Sequence, residues 1–139
     1  MSRKKFYETM NIMKNTEERE KMNVIIIILS GILCASLGQV FWKLGMNAVG
    51  AIDNFSISGI VSMFLNPLVF LGLLMYGLST IFWLIALSQK DLSYVYPFVA
   101  LTFIIVLLLS KFLLHENVGI YRIVGTLIII AGLIIVVNT

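Results

Sequence analysis

Residues 67–114 read PLVFLGLLMYGLSTIFWLIALSQKDLSYVYPFVALTFIIVLLLSKFLL, two long apolar runs separated by one short polar turn. Each run is about 20 residues long, the length a helix needs to cross a bilayer core of ~30 Å. Neither run alternates polar with apolar residues, so neither reads as a strand of a membrane barrel. The pattern predicts helices over 67–87 and 92–114, joined by a tight turn at SQKDLS, residues 88–93. Pro67 suits a first helical turn, where a missing N–H costs nothing. Pro97 removes an N–H near the start of the second helix and can kink it.

The same reading extends outward in both directions. Upstream, residues 24–44 begin VIIIIL and end at Lys43, which can snorkel to the headgroups. Downstream, residues 120–137 form a last apolar run, and Asn138 and Thr139 follow it. The 45–65 connection is mildly polar, with Gly45, Gly50, Asp53 and Asn54, and its second half is apolar enough to lie in the interface or to start the next helix. HENVG, residues 115–119, is a second turn. The expectation is an all-α integral membrane bundle of four transmembrane helices (about 24–44, 67–87, 92–114 and 120–137), which pairs as a dimer. One domain, 23–139, follows a polar juxtamembrane tail, 1–22. Asn15, Thr16, Glu17 and Glu18 are expected to open a short interfacial helix in that tail, and Met22 is an alternative start.

Composition agrees. Of 139 residues 60% are hydrophobic and only 12% charged, and mean hydropathy is +1.01. Soluble domains carry about 25% charged residues, and a short chain has too much surface to hide this much apolar side chain from water. The first apolar run is too long for the core of a signal peptide and reads as a retained helix. Cys34 is the single cysteine, which excludes an intrachain disulfide and a thiolate metal site.

Six of the ten Lys and Arg residues precede Val24. Glu8, Glu17, Glu18 and Glu20 break up this basic segment, so it reads as a tail drawn to anionic lipid heads and not as a nucleic-acid surface. Four spans place both termini on one side, together with Lys90; Lys43, Lys111 and Arg122 fall on the other. Seven cations against three put both termini in the cytoplasm by the positive-inside rule. A start at Met22 would change the count to one against three and reverse the orientation.

Intramembrane polar groups are costly and mark candidate sites. Gln39 and Lys43 share a face of the first helix at a spacing of four. Lys111 and His115 have the same spacing at the end of the third. Lys43, Lys111, His115 and Arg122 therefore gather at one end of the bundle with Glu116 as an acidic partner, an arrangement suited to an anionic headgroup; the competing reading is simple interfacial snorkelling. Gln39 lies a turn deeper and needs a partner. Tyr94, Tyr96, Phe98 and Phe103 form either an interfacial belt or a ligand-lining face. Gly31, Gly38 and Gly45, and then Gly125 and Gly132, recur at seven-residue spacing. Such stripes let helices approach closely, either within the bundle or, for Gly125 and Gly132, between copies.

The absences matter too. No Asp or Glu lies inside a span, so the buried carboxylate of a proton-coupled cation exporter is missing. There is no HExxH, no second histidine and no GxxxxGK[ST] loop. No enzymatic chemistry, cofactor or nucleotide hydrolysis is expected.

Three stretches carry a resemblance: Ser36-Leu-Gly38-Gln39-x3-Lys43, Leu92-Ser-Tyr-Val-Tyr96-Pro97-Phe-Val-Ala-Leu101, and Lys111-x3-His115-Glu116 followed by Gly125-x6-Gly132. They resemble the small four-helix branch of the drug/metabolite transporter superfamily, and above all the EamA-like small subunits of the 4-amino-4-deoxy-L-arabinose–phosphoundecaprenol flippase. The resemblance covers about 23–137 and not the tail. The more distant small multidrug resistance proteins share the Gly-x6-Gly, but their defining glutamate falls at Ala35 here. The resemblance implies a dimeric flippase, homomeric or paired with a related small subunit, in the inner membrane. Its substrate would be a polyprenyl-phosphate-linked sugar, with Lys43 and Lys111 on the phosphate and Gln39 and Tyr96 on the headgroup. An exporter of small polar or cationic molecules is the alternative, and a non-transporting scaffold subunit a third reading.

Overall fold

The computed structural model describes residues 3–52 and 56–137, and among them every regular element is helical. Asp53 and Asn54 of the predicted connection, and Asn138 and Thr139 at the end, lie outside the described residues.

α1 (Arg3–Val49) runs 47 residues without a break. At 1.5 Å per residue it is ~70 Å long, over twice a hydrocarbon core. The segment predicted as a polar tail is thus helical and continuous with the first apolar run, not a separate short helix beginning near Asn15. No proline or glycine interrupts it before Gly31. Locally, Lys21 Nζ lies 3.0 Å from Glu17 Oε1 one turn away. The hydrogen bond and charge of this pair hold the Glu17 carboxyl below its ordinary range and the Lys21 ammonium above its own. Gly50 ends the helix with φ of +88°, where a side chain would be strained, and its N–H reaches the Met46 carbonyl at 2.9 Å.

The apolar second half of the connection forms its own helix, α2 (Ile57–Leu65). Asn66 breaks the chain and caps α3 (Pro67–Gln89): its Oδ1 accepts from the N–H groups of Leu68 (2.9 Å) and Val69 (3.3 Å). The Asn66 Nδ2 donates to the Gly45 carbonyl at 3.4 Å, which ties this cap to α1.

α1 and α3 pack antiparallel along the first glycine stripe. A Cβ at Gly31 would meet Phe82 Cβ at 3.2 Å, one at Gly38 the Gly72 carbonyl at 2.9 Å, and one at Gly45 the Val69 side chain at 2.6 Å. Partner numbers fall as α1 numbers rise, which is the antiparallel register. The stripe of α1 is therefore spent on packing inside the chain.

The third apolar run is not one uniform helix. α4 (Leu92–Val95) gives way to a 3-10 turn at Tyr96–Val99, and α5 (Ala100–Phe112) follows. Pro97 supplies the cause, since its ring forbids a regular α-helical hydrogen bond there. α5 ends two residues earlier than predicted. His115 takes a left-handed φ of +52°, and the Glu116 N–H turns back onto the Ser110 carbonyl at 3.0 Å. His115 is thus off the helix, and the expected shared helical face with Lys111 does not form. α6 (Ile120–Val137) closes the chain.

Val24, Ile28 and Ile32 of α1, Ala86 of α3, and Val95 and Phe98 form the core, all at the end that holds the 90–91 turn. Leu84, Leu127, Ile128 and Ile135 stay over half exposed. Such exposure suits lipid as solvent, because tails are as apolar as leucine. Three helical stretches are long and apolar enough to cross a membrane, Met10–Val49, Pro67–Gln89 and Leu92–Phe112, and Ile120–Val136 is a shorter apolar helix. The protein is an all-helical integral membrane protein.

Candidate substrate cavity

A cavity of about 240 Å³ lies between α1, α3 and the third apolar run, beside the 3-10 turn. Gln39 and Ala35 reach it from α1, Tyr76, Ser79, Thr80 and Trp83 from α3, and Tyr96 and Thr102 from the third run. Each position follows from local geometry. Gln39 is one turn along α1 from Ala35. Tyr76, Thr80 and Trp83 fall at i, i+4 and i+7 on one face of α3. Tyr96 is held by its neighbours Val95 and Phe98, both buried in the core.

No charged side chain lines this cavity. Its chemistry is one carboxamide, five hydroxyls and the faces of aromatic rings. The Trp83 and Tyr96 rings stand edge to face with centroids 6.3 Å apart, and Trp42 stacks on Tyr76 at 4.9 Å just outside. Amides and hydroxyls both donate and accept, so the lining suits a ligand rich in hydroxyl groups.

Lys43 lies one turn beyond Gln39 and outside the cavity. Its Nζ is 3.8 Å from Glu116 Oε1, with the lysine side chain 51% and the glutamate 33% exposed. The structure therefore brings together two pairs of sequence candidates, Gln39 with Tyr96 and Lys43 with Glu116. Lys111 and His115 are exposed at the same end and line no cavity described here. Arg122 lines a separate groove between α5 and α6, with Ser110, Gly125 and Thr126. Of the cations expected around one mouth, Lys43 is thus paired with Glu116 and Arg122 lines this groove. Among the described residues, no heavy atom outside the local helix backbone lies within 4 Å of where a Cβ would stand at Gly125 or Gly132. Among the described residues no group of three or more His, Cys, Asp or Glu is placed to hold a metal.

Sequence reasoning missed Tyr76, Ser79, Thr80, Trp83 and Thr102. The α3 residues share one face at helical spacing, which the sequence shows; that this face turns toward α1 it does not.

The profile of the EamA-like transporter family matches residues 61–138. ArnE of Pseudomonas aeruginosa (strain UCBPP-PA14), named a probable 4-amino-4-deoxy-L-arabinose-phosphoundecaprenol flippase subunit, is 30% identical over 109 residues, 78% of this chain and 92% of that protein. ArnE of Pseudomonas fluorescens (strain Pf0-1), with the same description, is 30% identical over 107 residues, 76% of this chain and 90% of its own. ArnF of Erwinia tasmaniensis, named as a subunit of the same flippase, is 30% identical over 117 residues, 81% of this chain and 92% of its own. No solved structure matches the chain.

Proposed function

The chain belongs to the EamA-like transporter family, and from that premise we propose that it moves a polyprenyl-phosphate-linked sugar, of the aminoarabinose-phosphoundecaprenol type, between the leaflets of the inner membrane. The observation that carries this reading is the uncharged cavity around Gln39, lined by hydroxyls and aromatic rings. A sugar offers hydroxyls to those groups and apolar ring faces to Trp83 and Tyr96. An amino group on the sugar rests against the same aromatic faces through cation–π attraction. Proton-coupled export of cations finds no support, because the cavity holds no carboxylate to exchange protons.

In the proposed mechanism the headgroup occupies the cavity, Gln39 and Tyr96 bind it, and the tail remains in lipid. Lys43 and Lys111 attract the phosphate, with His115 and Glu116 at the same end; Lys43 exchanges its Glu116 partner for the phosphate. No bond is made or broken, so no enzymatic step is required. α6 serves as a fourth span: its 18 residues reach ~27 Å, close to a bilayer core. Four spans and the positive-inside count support cytoplasmic termini. Gly125 and Gly132, open on α6, support close approach of a second copy or of a related small subunit.

Native mass spectrometry of the protein purified in gentle detergent tests the reading. It predicts a bound polyprenyl phosphate or its glycoside that is lost in Gln39→Ala and Lys43→Ala. Bulk phospholipid alone, unchanged by either substitution, would count against it.

A further inference from the structure

Tyr96 stands between two spaces of opposite chemistry. On one side is the polar cavity. On the other is a groove of about 430 Å³ lined by Ser93, Tyr96, Pro97, Ala100, Leu133 and Val136, so it is walled by the 3-10 turn and the last turns of α6. Apart from the Ser93 hydroxyl and Tyr96 itself, that lining is apolar. Tyr96 contributes to both walls and is 59% exposed, whereas its neighbours Val95 and Phe98 are buried. The 3-10 turn forced by Pro97 thus anchors on either side of Tyr96 while it presents the phenol between the two spaces.

We propose that this groove is the lateral portal that seats the first part of the substrate's isoprenoid chain as the headgroup enters the cavity, before the phosphate passes on to Lys43, and that at this stage Tyr96 divides headgroup from hydrocarbon. The proposal rests on the flippase reading, and it names the place where the amphiphile enters and the part of the protein that recognises its tail. Continuity carries it: an amphiphile needs a polar and an apolar space in contact, and these two share one side chain. The shared chemistry of the wall fits as well, since a phenol offers a hydroxyl to the polar part and a ring face to the chain.

The portal also has a side. Ser93 is two residues past the 90–91 turn, and Val136 is next to the last residue of α6, so the groove lies toward the end of the fold that carries the polar half of α1. The opposite end is bridged by the Lys43–Glu116 pair. Lipid therefore enters from the leaflet on the side of the 90–91 turn.

The test uses the full chain in nanodiscs and two probes, an undecaprenyl-phosphate aminosugar and a short, water-soluble analogue with a methyl group in place of the isoprenoid chain. Ala100→Phe and Leu133→Trp fill the groove. Both should weaken the long-chain lipid roughly tenfold or more, the loss expected when two methylenes are no longer buried, and leave the short analogue unchanged. Gln39→Ala should weaken both probes alike. A photoreactive benzoylphenylalanine at Leu133, in an otherwise unaltered chain, should capture the long-chain lipid, which keeps the test sound if a filled groove disturbs folding. Unchanged long-chain binding together with no capture overturns the portal and leaves the flippase reading intact. Loss of self-association in place of lipid binding would make the groove a protein interface and would also overturn it. Failure of the unaltered protein to bind either probe overturns both.

Discussion

Lys43 Nζ lies 3.8 Å from Glu116 Oε1, an ion pair that fastens α1 to the turn between α5 and α6. Lys43 is also one helical turn from Gln39, whose amide lines the cavity. The cation one turn from the cavity thus already holds a carboxylate, which in the proposed mechanism a phosphate replaces.

That relationship predicts a split between stability and binding. The pair is half exposed, so Lys43→Gln and Glu116→Gln should each change stability by less than ~1 kcal/mol. Lys43→Gln should weaken polyprenyl-phosphate binding about tenfold or more, the worth of one charge-assisted hydrogen bond. Glu116→Gln, which leaves Lys43 unpaired, should bind no weaker than the parent. Melting curves and native mass spectrometry read the two effects separately.

The two glycine stripes should respond differently to the same kind of change. Gly38→Leu drives a side chain into the Gly72 backbone and should cost roughly 1–3 kcal/mol as overpacking. Gly125→Leu meets open space, so the fold should keep its melting temperature while self-association or subunit pairing weakens. Thermal unfolding and cross-linking in membranes distinguish these outcomes.

Trp42 Nε1 is buried with no hydrogen-bond partner among the described residues. Trp42→Phe removes that donor and retains the stack on Tyr76, now at 4.9 Å. It should therefore be neutral or stabilising by up to ~1 kcal/mol. Trp42→Ala leaves a hole against Gly72 and should cost ~3–5 kcal/mol.

The Glu17–Lys21 pair sets a pH window for the polar half of α1. The Glu17 carboxyl is held below its ordinary 4.5, so its contribution is complete above that value and fades as pH falls through the lowered one. The Lys21 ammonium is raised above 10.5, so its contribution is complete below that value and fades as pH rises through the raised one. Spin labels at Asn11 and Asn15 should grow more mobile at both extremes, and Glu17→Gln should remove the acid response.

The helical runs were legible in the sequence because lipid imposes a length and an apolar composition that few other structures share. Pro97, Gly50 and the polar turns marked interruptions for reasons local to the backbone. The helical continuity of α1 through residues 3–23 was harder to read, since that stretch has neither an apolar stripe nor a breaker to decide it. Gln39 and Tyr96 stood out as polar groups in or beside apolar runs. Tyr76, Thr80 and Trp83 did not, because their meaning depends on which face of α3 turns toward α1, and that register is set by Gly31, Gly38 and Gly45 across the interface. The left-handed backbone at His115, which takes that residue off the helix of Lys111, is not dictated by the residue type alone.

The proposed activity is movement of a lipid-linked sugar across the bilayer. It is tested most directly by placing the purified protein, with any subunit that remains bound, in vesicles that carry an undecaprenyl-phosphate aminosugar. A membrane-impermeant amine reagent then follows the fraction exposed outside. The account predicts that the protected inner-leaflet fraction becomes reactive faster than in protein-free vesicles, and that Gln39→Ala and Lys43→Gln slow this. A rate equal to that of protein-free vesicles would contradict it.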